Sequence, residues 1–170
     1  RQLLIHEIMG RNCGWLTAKT ALDYRERMKQ RLFIPELLID KDRWDIDAIY
    51  IPEIDFNFQT EVDRLKEKIN KKDGVNIFLS EGAGLEMIVR EMKNNGDSIP
   101  RDAFGHVKLD EINPGQWFAK QFSEALNVEK TLVQKSGYFS RSAKPNDRDL
   151  QLIKSSSRLA AKFSLDQKSG

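Results

Sequence analysis

The sequence has few of the features that assign a protein quickly to a functional class. It contains a single cysteine, Cys13, so no internal disulfide can form and a reducing, cytoplasmic setting fits best. No apolar run approaches the roughly 20 residues that a membrane span requires, and no signal peptide is visible. The net charge is only +2, from 28 basic and 26 acidic residues spread along the chain. This balance gives no field that favours nucleic acid or an anionic membrane.

Several common catalytic motifs are also missing. His6 and His106 are the only histidines and stand far apart, which argues against a metal site. Cys13 has no evident histidine partner, and we interpret it as a small packed thiol rather than a nucleophile. The glycine segment at residues 81–84 is too short for a dinucleotide fingerprint, and no glycine-rich loop ends in Lys-Ser or Lys-Thr. Any ligand must therefore be bound by local charges and hydroxyls.

Apolar strands alternate with amphipathic helices along the chain. The apolar runs predict strands at residues 2–8, 48–51, 75–79 and 131–133. Helical spacing predicts helices at residues 15–28, from 60 to about 71, 85–92, 114–126 and from 147 onward. Residues 31–47 are read as irregular and residues 136–145 as a loop. Four strands separated by helices predict an α/β fold with a parallel sheet and right-handed crossovers.

Capping residues define several of these helix ends. Thr60 with Asp63 is interpreted as a capping box, Asn113 as a cap before Pro114, and Asn146 as the cap of the last helix. With 170 residues and 39% hydrophobic composition, the chain can bury one substantial core, so residues 1–170 are expected to form a single domain. Because the sequence begins inside a predicted strand, we expect it to be a piece of a longer protein.

Polar side chains follow each predicted strand. Ligands of open parallel sheets bind beyond the carboxyl ends of the strands, and the residues found there are Met9, Gly10, Arg11, Glu53, Glu81, Tyr138 and Arg141. The glycines after the first strand allow a ligand to approach the backbone closely, and the helix that follows offers free N–H groups to an anion. Guanidinium groups suit a phosphate, and carboxylates accept hydrogen bonds from hydroxyls. The constellation therefore predicts a site for a phosphorylated polyol.

Each of these residues has a structural alternative. Arg11 or Arg141 alone is more often half of a surface ion pair. Glu53 could instead cap a nearby helix, and Tyr138 could be a core ring with a satisfied hydroxyl. The case for a site depends on the convergence of all of them at one edge of the sheet.

Four segments together resemble the pyrophosphate-dependent phosphofructokinases over nearly the whole chain. They are Met9-Gly-Arg-Asn-Cys-Gly-Trp15, Phe78-Leu-Ser-Glu-Gly-Ala-Gly84, the run from Pro100 to Leu109, and the run from Lys130 to Ser142. The resemblance implies a parallel-sheet phosphofructokinase-like domain with helices on both faces. It also implies a glycolytic enzyme, a homo-oligomer, that moves a phosphoryl group from pyrophosphate to the 1-hydroxyl of fructose 6-phosphate, with Mg²⁺ bridging the donor.

The resemblance also implies roles for individual residues. Met9, Gly10 and Arg11 match the loop that contacts the sugar phosphate, and Glu81 matches the carboxylate that holds sugar hydroxyls. Tyr138 and Arg141 match the pair that closes on the 6-phosphate. Lys135 would be an extra cation, and Arg1 lies one place from a position that supplies a basic residue to a neighbouring subunit.

The donor half of such an enzyme is not found in this sequence. The family's glycine- and aspartate-rich loop for pyrophosphate and Mg²⁺ and its aspartate base are expected upstream, so the chain alone should bind one substrate and catalyse nothing. Two alternatives stay open. One is an ATP-dependent 6-phosphofructokinase, although Tyr138 stands where the ATP-using bacterial enzymes commonly have histidine. The other is a stand-alone phosphosugar-binding domain.

Overall fold

One parallel β-sheet organises the molecule. The computed structural model describes residues 1–37 and 39–168. Within them the strands are β1 (Gln2–Ile8), β2 (Ala48–Tyr50), β3 (Gly74–Ser80) and β4 (Lys130–Lys135). They lie in the order β2-β3-β1-β4, and every neighbouring pair is parallel. The predicted α/β fold is confirmed.

Helices connect the strands and continue beyond the last one. They are α1 (Trp15–Lys29), α2 (Lys41–Trp44), α3 (Phe58–Lys72), α4 (Leu85–Asn95), α5 (Leu109–Ile112), α6 (Pro114–Leu126), α7 (Gly137–Ser142) and α8 (Asp147–Leu165). None of the helices in the described part of the chain is both long and apolar enough to cross a membrane.

The two faces of the sheet carry cores of different size. Successive residues of a strand point to opposite faces, so Leu3 and Ile5 of β1 lie on the face that α3, α4 and α6 cover. Phe118 and Phe122 of α6 are fully buried there. The opposite face is covered by α1 and has a smaller core, made of Ile8, Ala21, Ile46 and Phe78. Helices thus lie on both faces, as predicted.

The described residues divide into two compact units, one from Arg1 to Gly137 and one from Tyr138 onward. The first contains the whole sheet with α1 to α6. The second contains α8, an amphipathic helix on which Leu152, Ile153 and Leu159 are exposed. That both units together form one sugar-phosphate-binding domain stays a prediction.

Two of the predicted helix caps are wrong in detail. The Asn57 side chain, not that of Thr60, caps α3: its Oδ1 accepts from Thr60 N at 2.9 Å, and the helix begins at Phe58. Asn113 precedes α6 as predicted, but its side chain makes no capping bond. Asn113 also ends α5 in a left-handed conformation, and that backbone turns its side chain away from the extended geometry that an N-cap uses.

Two segments read as irregular contain short helices. Residues 31–47 include a 3₁₀ turn at Pro35–Leu37 and α2, which Asp40 caps through Asp42 N. Within that stretch Leu38 lies outside the described residues. The predicted loop at residues 136–145 is wrong, because Gly137–Ser142 is helical. Six residues are too few to display a helical period in the sequence.

Candidate functional site

The loop after β1 runs across the carboxyl end of β3 toward that of β2. Gly82, which follows β3, touches its middle: a methyl group added to Gly82 would lie 1.7 Å from the Arg11 carbonyl oxygen. Gly14, at the end of the loop, lies against Ile51, and a methyl group there would be 2.3 Å from Ile51 Cβ. Glycine is required at both positions because the chain segments touch.

Glu81 and Ser80 hold the beginning of this loop. The Gly10 N–H donates to Glu81 Oε1 at 3.2 Å, and Ser80 Oγ donates to the Gly10 carbonyl at 2.6 Å. The Glu81 N–H in turn donates to the Ile8 carbonyl at 2.9 Å. Gly10 has φ of 151°, a conformation that side chains rarely adopt. The structure therefore brings Gly10, Arg11 and Glu81 together at the carboxyl end of the sheet.

Glu53 holds the other end of the loop. Both of its carboxylate oxygens accept from the Gly14 N–H, at 2.7 and 3.0 Å. Gly14 is the residue immediately before α1. Of the two interpretations of Glu53, the structure supports the helix cap, because the carboxylate is committed to the backbone N–H of the loop.

Arg11 lies between these two anchors. Its Nη1 donates to the Val107 carbonyl at 2.6 Å, and it makes no ion pair among the residues that the structure describes. Within the described residues, Arg11 therefore does not form the surface ion pair that the sequence left open as an alternative. A guanidinium without a carboxylate partner keeps its charge available to an anion.

Glu7 is a buried carboxylate near the carboxyl end of β1 that the sequence analysis did not single out. It is 7% exposed, and its Oε2 accepts from the Gly115 N–H at the start of α6 at 2.8 Å. Its Oε1 lies 3.4 Å from Lys135 Nζ, at the end of β4. The sequence does contain a signal for it. Like Leu3 and Ile5, Glu7 occupies one of the alternate positions of β1 that face the core, where an unpaired charge would be costly.

Tyr138 and Arg141 lie on α7, in the second unit. Residues three apart on a helix are neighbours on its surface, so the two side chains emerge from the same side of α7. Tyr138 is 87% exposed, and the core-ring alternative is therefore wrong. Gly137, the first residue of α7, still belongs to the first unit, and a methyl group added to it would lie 3.4 Å from Met9 Cγ of the same unit.

Other sequence interpretations have mixed outcomes. Cys13 is exposed, so the packed-thiol interpretation is wrong.

The Arg1 carbonyl accepts from Glu129 N and Lys130 N, at 3.0 and 3.2 Å. Burial lowers the pKa of His6, whose ring contacts Phe78 with a centroid distance of 4.9 Å. In the described part of the chain no three His, Cys, Asp or Glu residues lie together as candidate metal ligands.

Open parallel α/β sheets bind ligands beyond the carboxyl ends of their strands, and a glycine loop that leads into the N-terminus of a helix suits an anionic group. The family model described as "Phosphofructokinase" matches residues 1–163. The chain belongs to the phosphofructokinase family.

Named relatives refine the comparison. The chain is 48% identical over 170 residues to a protein of Methylotuvimicrobium alcaliphilum named pyrophosphate–fructose 6-phosphate 1-phosphotransferase. It is 49% and 51% identical, over the same length, to proteins of that name from Methylomonas methanica and Mastigamoeba balamuthi. All of this chain is covered in each case, but only 42% of the relative.

Solved structures support the fold. Pyrophosphate-dependent phosphofructokinases from Nitrosospira multiformis and Marinobacter aquaeolei superpose with a TM-score of 0.54 each at 18% identity. Each match covers 98% of this chain and 33% of the other. At this identity the likeness bears on the fold alone.

Proposed function

We propose that the whole protein containing this chain transfers a phosphoryl group from pyrophosphate to the 1-hydroxyl of fructose 6-phosphate, as a glycolytic, cytoplasmic enzyme. This chain supplies the fructose 6-phosphate site. The names of relatives about half identical over the entire chain support this proposal. One observation carries the proposal. The Glu81 carboxylate accepts from the Gly10 N–H, and the neighbouring Arg11 has no carboxylate partner among the described residues.

The proposed roles follow the chemistry of each group. Arg11 and Arg141 bind phosphate through planar, permanently charged forks. Glu81 accepts hydrogen bonds from sugar hydroxyls, while Met9 and Gly10 shape the loop and Tyr138 adds a hydroxyl from α7. Lys135 is a further cation, held beside Glu7.

Other components lie outside this chain in the proposal. The donor site and the catalytic base belong to the remaining length of a protein of the relatives' size. In the proposal, Mg²⁺, which would neutralise charge on the donor, is also held mainly by that remaining length. We also propose a homo-oligomer, in which Arg1 serves a neighbouring subunit.

A coupled assay of the whole protein tests the proposal. Formation of fructose 1,6-bisphosphate should require fructose 6-phosphate, pyrophosphate and Mg²⁺, and ATP should not replace pyrophosphate. Turnover with ATP alone would instead support the ATP-dependent alternative. Stabilisation by the sugar phosphate without turnover with either donor would support a stand-alone binding domain.

The same assay on the 170-residue chain provides an internal check. It should stay at background, because positioning of the donor and base is what accelerates phosphoryl transfer. Turnover that survives repurification of the isolated chain would contradict the assignment of the donor site to the remaining length.

A further inference from the structure

The loop between β1 and α1 is anchored at two points by carboxylates that come from different strands. Glu81, after β3, accepts from Gly10 N–H, and Glu53, after β2, accepts from Gly14 N–H. Arg11 lies between the two anchored glycines. The conformation of the arginine's backbone is therefore fixed from both sides.

The anchor at Glu53 is the closer of the two. Its two oxygens lie 2.7 and 3.0 Å from the same N–H, whereas Glu81 Oε1 lies 3.2 Å from Gly10 N. Gly14 also has no space for a side chain, because Ile51 and Glu53 occupy the position that a methyl group would take. The end of β2 and the start of α1 are thus joined directly at Gly14.

The choice of partner for Glu53 matters electrostatically. A carboxylate that paired with Arg11 would neutralise the cation, but Glu53 is committed to a backbone N–H and Arg11 donates to the Val107 carbonyl. A hydrogen bond to a charged group thus stabilises the loop, and the charge of Arg11 is not neutralised by Glu53.

We propose that Glu53 is a positioning residue for recognition of the sugar phosphate. It acts through Gly14: it fixes the end of the loop and the start of α1, and so holds Arg11 where it meets the phosphate. It does not contact the substrate itself. This inference rests on the proposed function, since it assigns a role within the same site.

Three variants of the whole protein test the inference. Glu53→Ala removes the anchor, and Glu53→Gln keeps one acceptor oxygen for Gly14 N–H. Asp55→Ala is the matched control, because Asp55 is an exposed carboxylate two residues further on that makes no hydrogen bond or ion pair with a described residue. Steady-state kinetics are measured with each substrate varied in turn, together with the thermal stabilisation that fructose 6-phosphate gives.

Loss of a hydrogen bond to a charged group predicts a rise of about 10-fold in KM for fructose 6-phosphate in Glu53→Ala. KM for pyrophosphate and kcat should change less than about 2-fold, and Glu53→Gln should recover most of the sugar affinity. Asp55→Ala should behave as wild type in all of these measurements.

A different pattern would overturn the inference. If Glu53→Ala lowers the melting temperature but leaves KM for the sugar unchanged, or raises both KM values equally, Glu53 is a helix cap only. Failure of the proposed function can be distinguished from failure of the inference about Glu53, because it shows in the wild-type protein. A wild type that is stabilised by the sugar phosphate but does not use pyrophosphate refutes the donor assignment, and the stabilisation arm then still tests Glu53. A wild type that neither turns over nor is stabilised refutes both.

Discussion

The two ends of the sheet use their carboxylates differently. At the carboxyl end, Glu53 and Glu81 accept hydrogen bonds from glycine N–H groups. At the amino end, Asp47 pairs with Lys72 Nζ at 2.8 Å, and Asp45 pairs with Arg25 at 3.0 Å. At the amino end, carboxylates therefore neutralise side-chain cations. At the carboxyl end, Arg11 forms no ion pair with a described residue and donates to a backbone carbonyl instead.

This difference separates stability from binding. A cavity of about 580 Å³ at the amino end is lined by basic and acidic residues alike, so its charges largely satisfy one another. At the carboxyl end Lys135 is paired with Glu7, but Glu53 and Glu81 stabilise the loop, and Arg11 is left without a carboxylate partner among the described residues. Substitutions at the amino end should therefore change unfolding, and those at the carboxyl end should change use of the sugar phosphate.

The largest effect is expected for Lys72→Met at the amino end. The side chains of Lys72 and Asp47 are 13% and 4% exposed, so the variant leaves a buried carboxylate whose remaining donor is Asn76 N, at 2.9 Å. Breaking such a pair from one side costs about 3 to 5 kcal/mol, and we expect the lower end of that range. Urea titrations of the whole protein measure it.

The exposed pair between Lys29 and Glu26 provides the control. Their side chains are 62% and 55% exposed, and Lys29→Met should cost less than about 1 kcal/mol. KM for fructose 6-phosphate should stay unchanged in both variants. Equal, small losses of stability would show that the amino-end pair is no stronger than a surface pair.

The next largest effect is expected for Gly82→Ala at the carboxyl end. Its methyl group would lie 1.7 Å from the Arg11 carbonyl oxygen, so the loop must move. We expect a stability loss of about 2 kcal/mol, within the usual cost of overpacking, together with weaker use of the sugar phosphate. Gly74→Ala is the control, because the nearest atom there is the Gln2 carbonyl oxygen at an ordinary 3.6 Å. If the two variants behave alike, the close approach of loop and β3 does not exist in solution.

These contacts show how much the sequence could reveal. The order of strands and helices followed from apolar periodicity, and Arg11 and Glu81 could be placed at the same edge because parallel strands have their carboxyl ends there. The partner of Glu53 could not be found in this way. A carboxylate after a strand can bind a ligand or a backbone N–H, and only the path of the loop decides between them.

Glu7 and α7 were missed for related reasons. A charged residue at a core-facing position of β1 indicates a buried partner. That partner, Gly115, is 108 residues away, and nothing in the sequence around it marks it as the partner of Glu7. Helix α7 is too short for periodicity, and an internal bond from Ser142 Oγ to the Tyr138 carbonyl, 2.6 Å long, helps to hold it. Contacts distant in sequence and single-turn helices are decided by tertiary structure.

A third prediction extends the comparison to α7. Arg141 follows the carboxyl end of β4 in sequence and is exposed. In the whole protein, Arg141→Ala should lower kcat/KM for fructose 6-phosphate by about 10- to 150-fold, the equivalent of the 1.5 to 3 kcal/mol of a charged hydrogen bond. The dependence on pyrophosphate should change far less. Tyr138→Phe, which removes one neutral hydroxyl, should have the smaller effect. A defect confined to the pyrophosphate dependence would exclude Arg141 as the 6-phosphate ligand.

The smallest effect is expected from acid, through Glu61 of α3. Hydrogen bonds from Arg64 lower the pKa of Glu61 below its ordinary value of 4.5, against the opposing effect of burial, and the Tyr50 hydroxyl adds to the lowering. Arg64 also donates to the Asp47 carbonyl at 2.8 Å, which ties this group to the amino end.

A carboxylate with a lowered pKa in the folded state contributes stability that is fully present above pH 4.5 and is lost as pH falls through the folded pKa. Glu61→Gln should therefore be less stable than wild type at neutral pH and should lose less stability on acidification below pH 4.5. Glu67→Gln, at an exposed position of the same helix, is the matched control and should follow wild type. Urea titrations at several pH values between about 3 and 7 measure the difference. An acid dependence that Glu61→Gln leaves unchanged would mean that its ion pair with Arg64 adds no stability, and the contrast between the two ends would then depend on the pairs of Asp47 with Lys72 and of Asp45 with Arg25.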